Sequence, residues 1–247
     1  MMHWAGRNIV ITGANRGIGR ALVQYWDRAG ANVLMCVRTV DGDLLSIAEA
    51  AQAKGQKHQV VSLDLLSSES IKAAHQAIAG WSREIDVLVN NAGAAYGGLA
   101  TMTPPAKLQE LFQVNFFGQI EFTQFIARLM MKKAKGSIVF VGSTAGIRAD
   151  EGTLAYGSSK AALMHAARIL ATELAPYKIR VNAVAPSVTA TDMLGEMTES
   201  ALRKLTENSL LGSVLSVDDV VDYITFIASD AARNINGQVL RIDGGSR

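Results

Sequence analysis

The chain of 247 residues contains a single cysteine, Cys36, so it can form no disulfide within itself. Cys36 lies in the apolar run Val33-Leu34-Met35-Cys36-Val37, which predicts a buried structural thiol rather than a reactive one. The four histidines, His3, His58, His75 and His165, are scattered, and no His/Cys cluster has metal-ligand spacing. An excess of either charge is also missing: 24 Lys and Arg stand against 22 Asp and Glu, a net charge of +2. That balance, without a long basic run, argues against nucleic acid as a partner. Lys132-Lys133-Ala134-Lys135 is the densest basic patch and reads as the end of a helix, where cations complement the dipole. No apolar run reaches the ~18 residues of a membrane span. The run of residues directly into a strand-like stretch leads to the expectation of no secretory leader. These absences together lead to the expectation of a reduced, cytoplasmic protein without a metal.

What the chain does contain is apolar: 49% of residues are hydrophobic and 19% charged, enough to bury a large core. Strand-like runs are predicted at Asn8–Thr12, Asn32–Val37, Gln59–Leu63, Asp86–Asn90, Ser137–Gly142, Arg180–Val184 and Gln238–Ile242. They are nearly continuous in Val, Ile and Leu, as when helices cover both faces of a sheet. Helices are predicted at Gly17–Ala29, Asp43–Ala53, Ser67–Trp81, Ala106–Lys133, Leu154–Ala175 and Val217–Ser229. Gly30, Gly55, Gly80 and Gly136 sit where helices should stop. The alternation predicts an α/β protein: a doubly wound parallel sheet in a single domain spanning residues 1–247. Residues 188–213, rich in Thr, Ser, Met and Leu, break the pattern and suit a mobile flap over a substrate.

The first strand runs into Thr12-Gly13-Ala14-Asn15-Arg16-Gly17-Ile18-Gly19 and then a helix. Glycines here allow a tight turn and let backbone N–H groups approach a pyrophosphate at the helix N-terminus. The second strand ends at Val37-Arg38, where an NAD site would carry an acid for the ribose 2′-hydroxyl. A valine cannot hold that diol, whereas Arg38, aided by Arg16, can pair with a 2′-phosphate. The expected cofactor is therefore NADP(H).

Tyr156-Gly157-Ser158-Ser159-Lys160 places a tyrosine and a lysine four apart, on one face of a helix. A phenol with pKa ≈ 10 is a poor acid or base near neutrality. An ammonium ~4 Å away, at an effective dielectric of ~20, attracts the phenolate by about 4 kcal/mol, an upper bound of roughly 3 pKa units. The pair is thus a candidate acid–base centre.

Thr12-Gly13-x-x-x-Gly17-x-Gly19, Asn90-Asn91-Ala92-Gly93, Ser143, Tyr156-x-x-x-Lys160 and Asp243-Gly244-Gly245 resemble, in order and spacing, the motifs of the short-chain dehydrogenase/reductase family. The resemblance spans essentially the whole chain. It implies a seven-stranded Rossmann-like fold and a catalytic group of Ser143, Tyr156, Lys160 and Asn115. Tyr156 would be the acid in ketone reduction and Ser143 would hydrogen-bond the carbonyl oxygen. Lys160 would tune Tyr156 and bind the nicotinamide ribose, and Asn115 would hold a water linking Lys160 to solvent. The resemblance also implies cofactor contacts from Gly13, Asn15, Arg16, Gly17, Ile18, Gly19 and Arg38. Asp64 and Leu65 would meet the adenine, and Asn91, Ala92 and Gly93 would lie near the adenosine ribose. Pro186, Val188 and Thr191 would contact the nicotinamide. Ser187 stands where the family usually has glycine.

Within the family, the chain length and the ending Asn236-Gly237-Gln238-Val239-Leu240-Arg241-Ile242-Asp243-Gly244-Gly245 are similar to those of 3-oxoacyl-[acyl-carrier-protein] reductases of fatty acid biosynthesis. This implies a β-keto thioester substrate on an acidic carrier protein, docked by Arg128 near the site entrance. The other usual docking arginine is replaced by Tyr177. A sugar, polyol or secondary-metabolite ketone is the alternative substrate, and a non-catalytic NADP-binding partner is a third reading. A homo-oligomer, dimer or tetramer, is implied, with Phe117 and Phe125 as candidate interface residues.

Overall fold

The computed structural model describes residues 3–189, 209–212 and 214–245. Seven parallel strands form one sheet: β1 (Asn8–Thr12), β2 (Asn32–Val37), β3 (Gln59–Ser62), β4 (Val87–Asn90), β5 (Gly136–Val141), β6 (Ile179–Pro186) and β7 (Val239–Ile242). Their order is β3-β2-β1-β4-β5-β6-β7. The chain first builds outward from β1 through β2 to β3, then returns to place β4 on the other side of β1. That reversal opens a crevice beyond the C-terminal ends of β1 and β4, where ligands bind in open α/β sheets.

Both faces of the sheet are covered, which explains the unbroken apolar strands. Ile9, Ile11, Val33 and Met35 point to one face, against α1 (Gly17–Arg28), α2 (Gly42–Ala53) and α7 (Val217–Ala228). Val10, Leu34, Leu88 and Phe140 point to the other, against α3 (Ser68–Trp81), α5 (Gly118–Lys133) and α6 (Leu154–Leu174). Alternate residues of one strand therefore serve two cores. Each fully buried large apolar side chain contributes about 1.5–3 kcal/mol.

The predicted helix at 106–133 is not continuous. It comprises α4 (Pro105–Phe112), a π-helical turn at Gln113–Phe117, and α5. The N–H of Gly118 bonds the carbonyl of Gln113, five residues back, which marks a π-bulge. At its end the helix packs hard on the loop after β3: a Cβ on Gly118 would lie 2.4 Å from the Leu65 carbonyl oxygen. The inserted residue turns Asn115 fully inward.

Two of the four proposed glycine stops fail. Gly30 and Gly55 follow their helices with positive φ, as expected. Gly80 lies inside the last turn of α3. After α5 it is Ala134, with φ 51°, that adopts the left-handed conformation, while Gly136 opens β5. Gly136 is required by packing instead, since a Cβ there would meet Met130 Sδ at 2.5 Å.

Arg180 joins the sheet to α7. Its guanidinium, half-buried, donates to the carbonyls of Ile227, Ala228, Ser229 and Ile235 and to the hydroxyl of Ser137. Carbonyls left free at the end of a helix are satisfied in this way by a cation, which the dipole also favours. Among the described residues no helix is long and apolar enough to cross a membrane. Of the flap expected at 188–213, residues 190–208 and 213 lie outside the described residues.

Candidate active site

The turn after β1 is built around glycine. Gly13 and Gly17 have φ of 67° and 52°, the left-handed region that other residues rarely adopt. A Cβ on Gly19 would lie 2.1 Å from the Gly13 carbonyl oxygen, so only glycine lets α1 pack onto its own entry loop. Arg16 is the N-cap residue of α1 and makes no side-chain cap hydrogen bond. The first turn of α1 thus lacks a side-chain acceptor from its own N-cap, and the positive end of the helix faces the crevice. Asn15, Arg16 and Arg38 are exposed beside it, and Ile18 is half-buried against the core. The set fits a dinucleotide bearing an additional phosphate, with two cations at hand and Val37 buried at the strand end.

Asn91 braces this turn. Its Nδ2 donates to the carbonyls of Thr12 and Gly13, both at 3.0 Å. The Thr12 hydroxyl in return accepts from the N–H groups of Asn91 and Ala92, each at 3.0 Å. The side-chain donors of Asn91 are therefore used within the protein. Asn91 thereby also holds the ends of β1 and β4 together at the crevice. Asp64 also serves its own loop, its carboxylate accepting from the N–H of Leu66, while Leu65 is buried.

Ser143, Tyr156, Lys160 and Asn115 come together at the C-terminal edge of β4 and β5. Ser143 follows β5, and its hydroxyl accepts from the N–H of Ala145 and lies close enough to the Tyr156 phenol to favour its ionised form. Burial pushes the Tyr156 phenol above its ordinary value, with Ser143 opposing. Lys160 follows Tyr156 by one turn of α6 and is buried. Its amine turns toward the sheet and donates to the Val141 carbonyl at 2.7 Å. Burial pushes that amine down to about 8. Spacing of four residues puts two side chains on one face, but the acceptor offered by β5 decides where the lysine points. Gly93 packs between the partners: a Cβ there would lie 3.2 Å from Asn115 Oδ1 and 3.3 Å from Lys160 Nζ.

Asn115 is held entirely by protein at its side-chain donors. Its Nδ2 donates to the Ala94 carbonyl and the Ser159 hydroxyl, and its Oδ1 accepts from the Ala94 N–H. Any water it holds would have to use another atom, such as a backbone carbonyl loosened by the π-turn. Pro186 is buried and Val188 exposed beyond β6; Thr191 lies outside the described residues. Ser187 needs no positive φ and donates its N–H to the Ile242 carbonyl. The glycine usual at that position is thus replaced without backbone strain.

Arg128 is exposed near the end of α5. That helix runs toward the N-terminal end of β5, about 15 Å along its axis from Gly118. Arg128 therefore sits at the opposite edge of the sheet from Tyr156, and one chain alone does not bring it to the site entrance. Sequence reasoning missed Thr12 as a brace and Ser159 as a partner of Asn115. It also missed the tie between loops in which the Gly98 N–H donates to the Gly152 carbonyl at 2.9 Å. Only Ser159 left a trace, as a buried-face serine beside Lys160.

A family model described as enoyl-(acyl carrier protein) reductase matches residues 13–247. The chain is 35% identical over 240 residues to a 3-oxoacyl-[acyl-carrier-protein] reductase of Aquifex aeolicus, covering 97% of each. It is also 35% identical over 248 residues to a D-erythrulose reductase of Gallus gallus, covering 99% of this chain and 97% of the relative. A solved 7α-hydroxysteroid dehydrogenase, complexed with NADH and 7-oxo glycochenodeoxycholic acid, superposes with a TM-score of 0.92. That match is at 28% identity and covers 99% of this chain and 95% of the other. With this sheet order, glycine turn and Ser-Tyr-Lys cluster, the chain belongs to the short-chain dehydrogenase/reductase family of NAD(P)-binding oxidoreductases.

Proposed function

We propose that the protein reduces a carbonyl to a hydroxyl with NADPH, its substrate a 3-oxoacyl thioester carried on acyl carrier protein. The observation that carries this reading is the meeting of Ser143, the buried Tyr156 phenol and the buried Lys160 at one end of the sheet. Burial keeps the phenol protonated near neutrality, which is the state a general acid needs for ketone reduction. When bound, NADPH supplies the hydride. Tyr156 gives its proton to the carbonyl oxygen, and Ser143 donates a hydrogen bond to the negative charge developing there. Lys160, with its lowered proton affinity, is poised to hold the nicotinamide ribose and to pass a proton toward Tyr156. Gly13 to Gly19 and the start of α1 would hold the pyrophosphate. Arg16 and Arg38 would pair the 2′-phosphate, and Pro186, Val188 and Thr191 would flank the nicotinamide.

The identity to a 3-oxoacyl-[acyl-carrier-protein] reductase along nearly the full chain supports the substrate class. Arg128 serves carrier docking only if a second subunit brings it beside a neighbour's site, so this reading includes a homo-oligomer. A second reading is a small polyol ketone. It draws on the equal identity to D-erythrulose reductase. The test is NADPH oxidation with acetoacetyl carrier protein, acetoacetyl thioester mimics, ketoses and cyclic ketones. Turnover of the thioesters supports the first reading; turnover of ketoses alone transfers it to the second. Tyr156→Phe should lower turnover by at least about a hundredfold while leaving NADPH affinity within about threefold. Turnover like that of the unaltered protein would remove Tyr156 from its role.

A further inference from the structure

Ser159 adjoins Lys160 and is fully buried on the inner face of α6. Its hydroxyl donates to the Tyr156 carbonyl at 2.7 Å and accepts from Asn115 Nδ2 at 3.0 Å. A serine that back-bonds within its own helix has one proton to give and lone pairs to spare. Here the spare lone pair is the acceptor that Asn115 needs. The other Asn115 contacts are to Ala94, whose carbonyl accepts at 2.9 Å and whose N–H donates at 2.8 Å. Asn115 thus spans three pieces of chain: the π-turn, the loop after β4, and the helix carrying Tyr156 and Lys160. Across Gly93, its Oδ1 and the Lys160 amine crowd the same space.

We propose that Ser159 is a positioning residue of the acid–base centre, its hydroxyl fixing the Asn115 amide and, through it, the setting of Lys160. An alanine at this place removes one buried oxygen and leaves one N–H of Asn115 without an acceptor. A buried donor so stranded seeks another partner, and the amide can find one only by turning. Turning moves Oδ1 away from the Ala94 N–H and alters what faces the Lys160 amine across Gly93. Ser159 touches neither the expected substrate nor the cofactor, so its influence is exerted wholly through Asn115. The inference rests on Tyr156 and Lys160 forming the acid–base pair.

A double-substitution cycle tests it, since coupling energies isolate an interaction that single changes do not. Ser159→Ala should lower kcat about tenfold, the worth of one ordinary hydrogen bond, and the melting temperature by a few degrees, with NADPH affinity nearly unchanged. In an Asn115→Ala background the same change should cost less than about twofold. Ser159→Thr, which keeps the hydroxyl, should recover most of the loss. Hydrogen exchange at the Ala94 amide, followed in the cofactor-free protein, should quicken in Ser159→Ala and quicken no further when Asn115→Ala is added. An unchanged kcat, an additive cycle, or an Ala94 amide indifferent to Ser159→Ala would each overturn the proposal. If no carbonyl is turned over by the unaltered protein, the reductase reading fails by itself. The exchange cycle then still decides whether Ser159 positions Asn115.

Discussion

Lys160 places its amine in the core, 3% exposed, with the Val141 carbonyl 2.7 Å away as acceptor. Taking an ammonium out of water is unfavourable, and the result is a proton affinity pushed down to about 8 from 10.5. Because the unfolded chain holds that proton more tightly, stability from this group rises with pH between about 8 and 10.5, and the penalty is full below 8. The shift corresponds to at most about 3 kcal/mol, from which about 1 kcal/mol is lost when the Val141 hydrogen bond goes. Lys160→Met should therefore make the cofactor-free protein more stable at neutral pH, melting roughly 4–8 °C higher. The gain should fade toward pH 10.5, and NADPH oxidation should drop by about a hundredfold or more. Denaturation across that pH range checks the sign: a lower melting temperature at pH 7 would show that the lysine is not a buried charge in the folded state. The Tyr-x-x-x-Lys pair itself is legible from helical spacing. The direction of the amine is not, because the carbonyl that captures it belongs to a strand residue 19 positions upstream.

At the scale of elements, α1 and its entry turn form a unit in which chain geometry and ligand geometry coincide. Gly19 is buried under the Gly13 carbonyl, so a methyl group forces the turn away from the helix. Gly19→Ala should destabilise the protein by about 1–3 kcal/mol and weaken NADPH binding by at least about tenfold, read by fluorescence titration. Tight binding in that variant would show that the turn can shift without disturbing the phosphate site. The π-turn is the second such unit. Its five residues read as ordinary helix in the sequence, since Gln113-Val114-Asn115-Phe116-Phe117 carries no proline or glycine to announce a break. What selects the wider turn is the closeness of α5 to Leu65 at Gly118 and the inward contacts of Asn115 with Ala94 and Ser159. The glycines at 80 and 136 misled for a related reason. A glycine ends a helix only where the chain needs a left-handed residue, and at 136 it was needed to admit Met130.

Across the whole molecule, the sheet works as a platform that presents the site's loops at one edge. Thr12 ends a strand and Asn91, Ser143 and Ser187 follow strands, while Tyr156 and Lys160 enter from α6 above them. A dinucleotide bound along this edge would span both halves of the fold. It would bind the native state alone, so at a hundred times its Kd it should add about 2.7 kcal/mol of stability. For a chain of this size that is a rise of roughly 5–11 °C in melting temperature. NADP should give this rise at concentrations where NAD gives little, and Arg38→Asp should reverse the order. Equal shifts from both cofactors in the unaltered protein would withdraw the 2′-phosphate assignment.

The residues by themselves determined the seven strands and the alternation of helices between them, because burial on both faces demands long apolar runs of a recognisable period. They also determined the glycine turn, the absence of an acid after β2 and the spacing of Ser143, Tyr156 and Lys160, since each follows from local chain geometry. Tertiary structure alone decided that Lys160 turns to Val141, that Asn91 braces a turn, and that Asn115 is anchored by Ser159. It also decided that Arg128 lies at the far edge of the sheet. Each of these depends on partners distant in the chain, brought within hydrogen-bond reach, or kept beyond it, only once the sheet has assembled.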